Sequence, residues 1–187
     1  MKHRLCLIHP MDPRGAKVGG IETHIRLLTQ RFPDDFSVML VGVDARGDLQ
    51  PGKAVKIKTG GREIDFLPVL HFTDEMAAEA ATRITGSLTF RFTLALLRHS
   101  RAIRKLAGKG PVSADLQRFE FAPVAKLLGL PFMMEVHGEG GKDDKMDSLI
   151  KKHWRIYKWG EALGLKLATR VLCVTPARVA SVSEEYP

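Results

Sequence analysis

Short apolar runs alternate with longer segments of helical periodicity along most of this chain. One run, Phe36–Val43, is almost continuously apolar, which is typical of a strand covered on both faces of a sheet. Two others, Val55–Thr59 and Glu63–Val69, flank the turn-forming pair Gly60-Gly61. In chain order, the predicted strands are therefore His3–His9, Phe36–Val43, Val55–Thr59, Glu63–Val69, Val112–Leu116, Phe132–Val136 and Val171–Val174.

Helices are predicted where apolar positions recur three and four residues apart and glycine or proline marks an end. The first begins near Ile21 and ends before Pro33, and an alanine-rich helical piece is expected within 73–85. The later helices are Leu88–Leu106, Ala122–Leu128, Ser148–Leu167 and Pro176–Glu185. Repeated strand–helix alternation predicts an α/β fold, with a doubly wound, mostly parallel sheet and helices on both of its faces.

The segment 17–24, Lys-Val-Gly-Gly-Ile-Glu-Thr-His, joins the first predicted strand to the first helix. Two adjacent glycines, Gly19 and Gly20, leave no side chain between the backbone and an approaching molecule. The free N–H groups of the helix point at the same place and favour an anionic group there. The segment therefore predicts a site for a phosphorylated ligand, although a tight strand-to-helix turn without a ligand explains the same residues equally well.

The composition of the chain limits the classes of partner that it is expected to bind. The 187 residues suffice for one domain, and a net charge of +8 favours anionic partners such as phosphorylated small molecules or acidic lipid surfaces. No nucleic-acid-binding module is recognisable, so no nucleic-acid partner is expected. The two cysteines, Cys6 and Cys173, lie in strand-like runs and are expected to be buried thiols of a cytoplasmic protein. No metal site or cofactor is predicted, because the histidines and cysteines lack ligand-like spacing.

Three segments together resemble a known family. They are the diglycine segment, Gly129-Leu-Pro-Phe-Met-Met-Glu-Val-His-Gly138, and Leu167-Ala-Thr-Arg-Val-Leu-Cys-Val-Thr175. Their order is similar to that of the N-terminal, acceptor-side domain of GT-B glycosyltransferases of retaining family 4, the glycosyl transferases group 1. The chain departs from the family pattern at Glu135, where threonine is usual, at Thr169-Arg170, which replaces Ala-Asp, and at Thr175, which replaces serine.

The resemblance implies a Rossmann-like sheet that forms one half of a GT-B fold, with 1–187 as a single domain and the C-terminal, donor-binding domain absent. The complete enzyme would transfer a hexosyl group from a nucleotide-sugar, with retention, to an acceptor such as a lipid-linked or polysaccharide precursor. The isolated domain is expected to be inactive.

The resemblance also implies roles for individual residues. His137 would lie beside the transferred sugar as the catalytic histidine, and Gly19 and Gly20 would bring backbone N–H groups to the donor diphosphate or sugar. Donor or substrate binding is also expected of Glu22 and Gly138. Acceptor binding is expected of His24, Arg118, Glu120, Glu139 and Lys142. Glu135 lies in an apolar strand, so it needs either a partner or an outward-facing position.

Three alternatives stay open at this point. The chain could be a non-catalytic subunit that pairs with a separate donor-binding chain. It could be an unrelated Rossmann nucleotide-binding domain, although GxGxxG is missing and only Asp44 closes the second strand with a carboxylate. Finally, the helices predicted within 88–106 and 148–167 are basic, and the second carries Trp154, Tyr157 and Trp159. These features favour either peripheral contact with the anionic inner face of the cell membrane or an ordinary solvated face.

Overall fold

The computed structural model of the protein describes residues 2–15, 19–73, 75–76, 86–137 and 153–186. Its seven strands in the described ranges are β1 His3–Ile8, β2 Phe36–Asp44, β3 Val55–Thr59, β4 Arg62–His71, β5 Val112–Leu116, β6 Phe132–Val136 and β7 Arg170–Cys173. The helices described are α1 Gly20–Arg31, α2 Leu88–Arg98, α3 Ser100–Ala107, α4 Ala122–Leu127, α5 Trp154–Leu167 and α6 Pro176–Glu185, with a 3₁₀ turn at Phe119–Phe121.

The strands form one sheet in the order β3-β4-β2-β1-β5-β6-β7. Every neighbouring pair is parallel except β3 and β4, which form an antiparallel hairpin. Gly60 and Gly61 close that hairpin with φ values of 58° and 81°, a left-handed conformation that favours glycine. The predicted mostly parallel, doubly wound sheet is therefore confirmed. Its strand order reverses between β1 and β5, which is where such sheets open a crevice for ligands.

Helices cover both faces of the sheet. On one face, Ile25 of α1 packs against alternate strand residues such as Leu5 and Leu7. On the other face, the intervening residue Cys6 belongs to a larger core with Phe92 of α2 and side chains of α3 and α4. This division follows from the strand period of two residues, which sends successive side chains to opposite faces.

Two details of the sequence-based expectations are corrected by the structure. The helix predicted over Leu88–Leu106 is two helices, α2 and α3, that meet at His99 with φ −98° and ψ 18°. The His99 ring packs against Gly52, where an added Cβ would lie 2.4 Å from its Nδ1, so a residue far away in the chain contacts the break. The cysteines are both free, but only Cys6 is buried; Cys173, on the edge strand β7, is half-buried.

Candidate functional site

Polar residues occupy alternate positions where three neighbouring strands end. They are His9 after β1, Asp115 and Gln117 on and after β5, and Glu135 and His137 on and after β6. The register places Leu7 beside Asp115 and Asp115 beside Met133, so these alternate side chains share the face that α1 covers. Three parallel strands thus bring their polar ends together beneath the start of α1.

Glu135 is the buried acid of this group. It is only 3% exposed, and its Oε2 lies 2.9 Å from Nε2 of His24 and 3.5 Å from Nε2 of His137. Burial opposes ionisation of Glu135, but the adjacent imidazoles of His137 and His24 outweigh it and lower the pKa of its carboxyl. The expectation that Glu135 requires a partner is therefore confirmed.

The same nitrogen of the His137 ring has a second polar neighbour. This Nε2 pairs with Oε1 of Gln117, and Nε2 of Gln117 donates to Oδ1 of Asp115 at 2.6 Å. Asp115 is buried, and burial together with the neighbouring charge of Glu135 raises its pKa to about 7. We call His9, His24, Asp115, Gln117, Glu135 and His137 the His137 cluster.

The start of α1 carries its own carboxylate. A Cβ on Gly19 would lie 2.1 Å from Oε2 of Glu22, whereas a Cβ on Gly20 would meet no atom of the described residues within 4 Å. Glu22 therefore folds back over Gly19, where a negative charge complements the helix dipole. The placement agrees with a loop-organising role for Glu22, and its role in binding a substrate stays a prediction.

His9 lies between Glu22 and the rest of the His137 cluster. Its Nε2 is 3.8 Å from Oε1 of Glu22, and its buried Nδ1 has no hydrogen-bond partner among the described residues. Burial lowers the pKa of His9 to about 4, so this imidazole is neutral near pH 7. The same region contains two more buried atoms without a hydrogen-bond partner there, Nε2 of His24 and Oε2 of Glu135, whose close contact is not aligned as a hydrogen bond.

A cavity of about 180 Å³ opens beside His137. Its wall includes Ile21 of α1, Glu135 and His137 of the cluster, and the polar pair Arg118 and Glu120. The guanidinium of Arg118 donates to the carboxylate of Glu120 at 2.9 Å, so the two opposite charges pair with each other.

The segment after β5 is fixed by its aromatic residues. Phe119 packs closely against α5, because a Cβ added to Gly164 would lie only 2.6 Å from the Cβ of Phe119. The centre of the Phe119 ring is 4.9 Å from the centre of the Tyr157 ring. Phe121 is buried, with its ring 5.1 Å from that of Phe92. Both rings hold the loop, which leaves the neighbouring polar side chains of Arg118 and Glu120 at the cavity.

The structure brings seven of the predicted site residues to this edge of the sheet: Gly19, Gly20, Glu22, His24, Arg118, Glu120 and His137. Gly138, Glu139 and Lys142 lie outside the described residues. Sequence reasoning missed His9, Asp115 and Gln117. The signal that identifies them is the recurrence of polar residues two positions apart at the ends of adjacent parallel strands.

A second polar cluster lies at the same edge, on the β2 side. We call Arg14, Asp12, Asp44 and Asp48 the Arg14 cluster, because the Arg14 guanidinium contacts all three carboxylates at 2.7 to 2.8 Å. Asp44 is fully buried and also accepts hydrogen bonds from the backbone N–H groups of Arg46 and Leu49. Its oxygens are therefore engaged within the protein, which removes the residue that a dinucleotide-binding domain would use for a ribose.

The basic aromatic helix α5 is partly neutralised. Lys158 pairs with Glu161 at 2.5 Å and Glu185 at 2.6 Å, while Ile156 and Trp159 are exposed. Among the residues that the structure describes, no helix is long and apolar enough to cross a bilayer. Within the same ranges, no three histidine, cysteine, aspartate or glutamate side chains are grouped to hold a metal ion. Peripheral membrane contact stays a prediction.

The sheet order and the crevice define the class of fold, a doubly wound Rossmann-like sheet. The structure is similar to sucrose-phosphate synthase from Thermosynechococcus elongatus, with a TM-score of 0.68 and 12% identity over 99% of this chain and 45% of that one. It is also similar to an E. coli trehalose-6-phosphate synthase bound with UDP-2-fluoro glucose, with a TM-score of 0.50 and 12% identity over 95% of this chain and 41% of that one.

Both neighbours are GT-B glycosyltransferases, and at this identity they show the fold alone. The chain spans less than half the length of either neighbour. No family model matches the sequence, and neither does the sequence of any curated protein.

Proposed function

We propose that this chain is the N-terminal, acceptor-side domain of a retaining GT-B glycosyltransferase of family 4, which transfers a hexosyl group from a nucleotide-sugar to an acceptor. One observation carries the proposal. The start of α1, the His137 ring and the cavity beside Arg118 and Glu120 meet at the carboxyl edge of the sheet, where the strand order reverses. That edge is the ligand-binding position of doubly wound sheets.

Each part of the site suits one part of such a reaction. The open backbone at Gly20 begins a helix and suits an anionic diphosphate, while the His137 imidazole suits a sugar hydroxyl. Arg118 and Glu120 offer a charged donor and a charged acceptor to a polar acceptor molecule. The protein would contribute positioning and electrostatic stabilisation of the departing diphosphate. Gly138, Glu139 and Lys142 extend this proposal as expected substrate contacts.

The proposed reaction requires a second domain that closes the ligand-binding cleft. The neighbours are more than twice as long as this chain, and the proposed cavity is open on one side of the sheet edge. We infer that a donor-binding lobe faces this edge in the active enzyme, either as further sequence of the same polypeptide or as a separate subunit. The chain alone is then expected to bind a nucleotide-sugar weakly and to transfer little or no sugar. A lipid-linked or polysaccharide acceptor fits the basic surface.

The proposal is tested by titrating the chain with UDP-glucose, GDP-mannose and NAD and following chemical shifts by NMR. We expect a nucleotide-sugar to perturb residues around His137, with NAD giving no saturable change. His137→Ala should weaken nucleotide-sugar binding by about three- to tenfold, which corresponds to one hydrogen bond. His3→Ala is the matched control, because His3 bonds Ser113 at the opposite end of the sheet. Tight NAD binding, or equal losses in the two variants, would reject the proposal.

A further inference from the structure

Two consecutive hydrogen bonds connect a buried carboxylate to the His137 ring. Asp115 does not contact the ring; it accepts a hydrogen bond of 2.6 Å from Nε2 of Gln117, whose Oε1 in turn faces Nε2 of His137. Both Asp115 and Gln117 are buried, at 2% and 5% exposure. The amide of Gln117 is therefore held at both ends.

The direction of these bonds fixes the position of a proton. Burial and the charge of Glu135 raise the pKa of Asp115 to about 7, so at pH 8 its carboxylate is ionised and only accepts. The Gln117 amide therefore turns its nitrogen to Asp115 and its oxygen to His137. An amide oxygen also only accepts, so the proton of a neutral His137 ring must be on Nε2. Oε2 of Glu135 lies 3.5 Å from the same nitrogen but makes no hydrogen bond with it, so Gln117 is the partner that decides the assignment.

We infer that Asp115 and Gln117 are positioning residues that hold His137 in its Nε2–H tautomer and thereby offer its Nδ1 as a hydrogen-bond acceptor to a ligand. The His137 side chain is 23% exposed and lines the cavity, and Nδ1 has no partner among the described residues. A neutral nitrogen acceptor binds a hydroxyl group and not a phosphate oxygen, so this position selects the sugar or polyol part of a ligand. Only the identity of that ligand rests on the proposed function.

The test measures the tautomer directly, by NMR of the whole chain labelled with ¹⁵N in its histidine rings, at pH 8. The His137 resonances are assigned by their loss in His137→Gln. We expect a protonated Nε2 and an unprotonated Nδ1 in the unmodified chain. Gln117→Met keeps the side-chain length but removes both amide groups, and it should convert His137 to the tautomer mixture of a free histidine.

Two substitutions of Asp115 test whether this residue controls the tautomer of His137 through Gln117. Asp115→Asn retains an oxygen that accepts from Gln117, so the Nε2–H tautomer should persist. Asp115→Leu removes that acceptor, so the amide can turn over, donate to Nε2 and move the ring proton to Nδ1. Ser113→Ala, on the same strand but bonded to His3 at its other end, is the control and should change nothing.

An Nδ1–H tautomer in the unmodified chain, or an unchanged tautomer in both Gln117→Met and Asp115→Leu, would overturn the inference. If Asp115→Leu fails to fold, Gln117→Met decides. UDP-glucose titrations separate this result from the proposed function. We expect Gln117→Met to weaken UDP-glucose binding by about three- to tenfold. A fixed tautomer without any UDP-glucose binding rejects the proposed function and leaves the positioning role supported, whereas a free tautomer rejects the positioning role even if UDP-glucose binds.

Discussion

The two polar clusters at the carboxyl edge of the sheet both contain buried charged residues, but their polar atoms differ in how completely they are hydrogen-bonded. In the Arg14 cluster, one guanidinium contacts Asp12, Asp44 and Asp48, and backbone N–H groups complete the shell around Asp44. In the His137 cluster, Nδ1 of His9, Nε2 of His24 and Oε2 of Glu135 are buried without a hydrogen-bond partner among the described residues.

This difference in hydrogen bonding distinguishes a structural cluster from a functional one more clearly than the types of residue do. Buried polar atoms are nearly always paired in folded proteins, so a group of incompletely paired ones requires an explanation. The Arg14 cluster has a structural role, because it connects the loop after β1 to the end of β2. Three members of the His137 cluster, Gln117, Glu135 and His137, line a cavity, so a ligand bound there is the candidate partner for Oε2 of Glu135. The predictions below test whether the clusters separate in this way.

The largest effect is expected from Arg14→Ala. The substitution leaves the buried carboxylates of Asp12 and Asp44 without their cation, and removal of one partner from a buried ion pair costs about 3–5 kcal/mol. The free energy of unfolding, measured by urea denaturation, should fall by this amount. Lys56→Ala is the matched control, since it breaks an exposed, solvent-screened pair with Glu63 and should cost far less than Arg14→Ala. Equal costs for the two variants would show that the Arg14 cluster is not a structural core.

Opposite pH dependences should distinguish the two clusters next. Burial opposes ionisation of Asp44, but the backbone N–H groups of Leu49, Gly47 and Arg46 and the Arg14 guanidinium lower its pKa below 3.8. Such an acid contributes stability at neutral pH that is lost as the pH falls. Burial and the charge of Glu135 raise the pKa of Asp115 from 3.8 to about 7, so its ionisation costs stability as the pH rises between those values.

Asp44→Asn should therefore destabilise the protein at pH 7 and approach the unmodified chain in acid. Asp115→Asn should match the unmodified chain near pH 3 and be more stable at pH 8, with about 1.4 kcal/mol for each pKa unit of the shift. Urea denaturation across this pH range measures both. A loss of stability at pH 8 in Asp115→Asn would contradict the raised pKa of Asp115.

Sequence pattern predicts the sheet well because each buried strand requires its own apolar run. It does not predict the break at His99, because the apolar positions continue across 88–106, and the contact of His99 with Gly52 comes from far away in the chain. His137 and the diglycine segment are identified from local sequence. Asp115 and Gln117 are not, because their role depends on strand register, which only tertiary pairing reveals.

A smaller effect is expected at the glycines of α5. A Cβ on Gly164 would lie 2.6 Å from the Phe119 Cβ and 3.2 Å from its Cα, whereas one on Gly160 would meet only the ring edge at 3.1 Å. Gly164→Ala should cost about 1–3 kcal/mol through overpacking and displace the loop that carries Arg118 and Glu120. Gly160→Ala should cost less, because a ring edge can move further than backbone. Thermal unfolding and UDP-glucose titration of both variants measure the difference, and an equal cost would place Phe119 elsewhere.

The smallest and most diagnostic change in stability is expected at Gly20. Its φ is not positive, and an added Cβ would find open space, so folding does not require glycine there. Gly20→Ala should raise the free energy of unfolding by about 0.4–1 kcal/mol, because alanine restricts the unfolded chain. If the helix start binds a diphosphate, the same methyl group obstructs it, and UDP-glucose affinity should fall while stability rises. Unchanged affinity in a stabilised Gly20→Ala variant would mean that no ligand approaches this backbone.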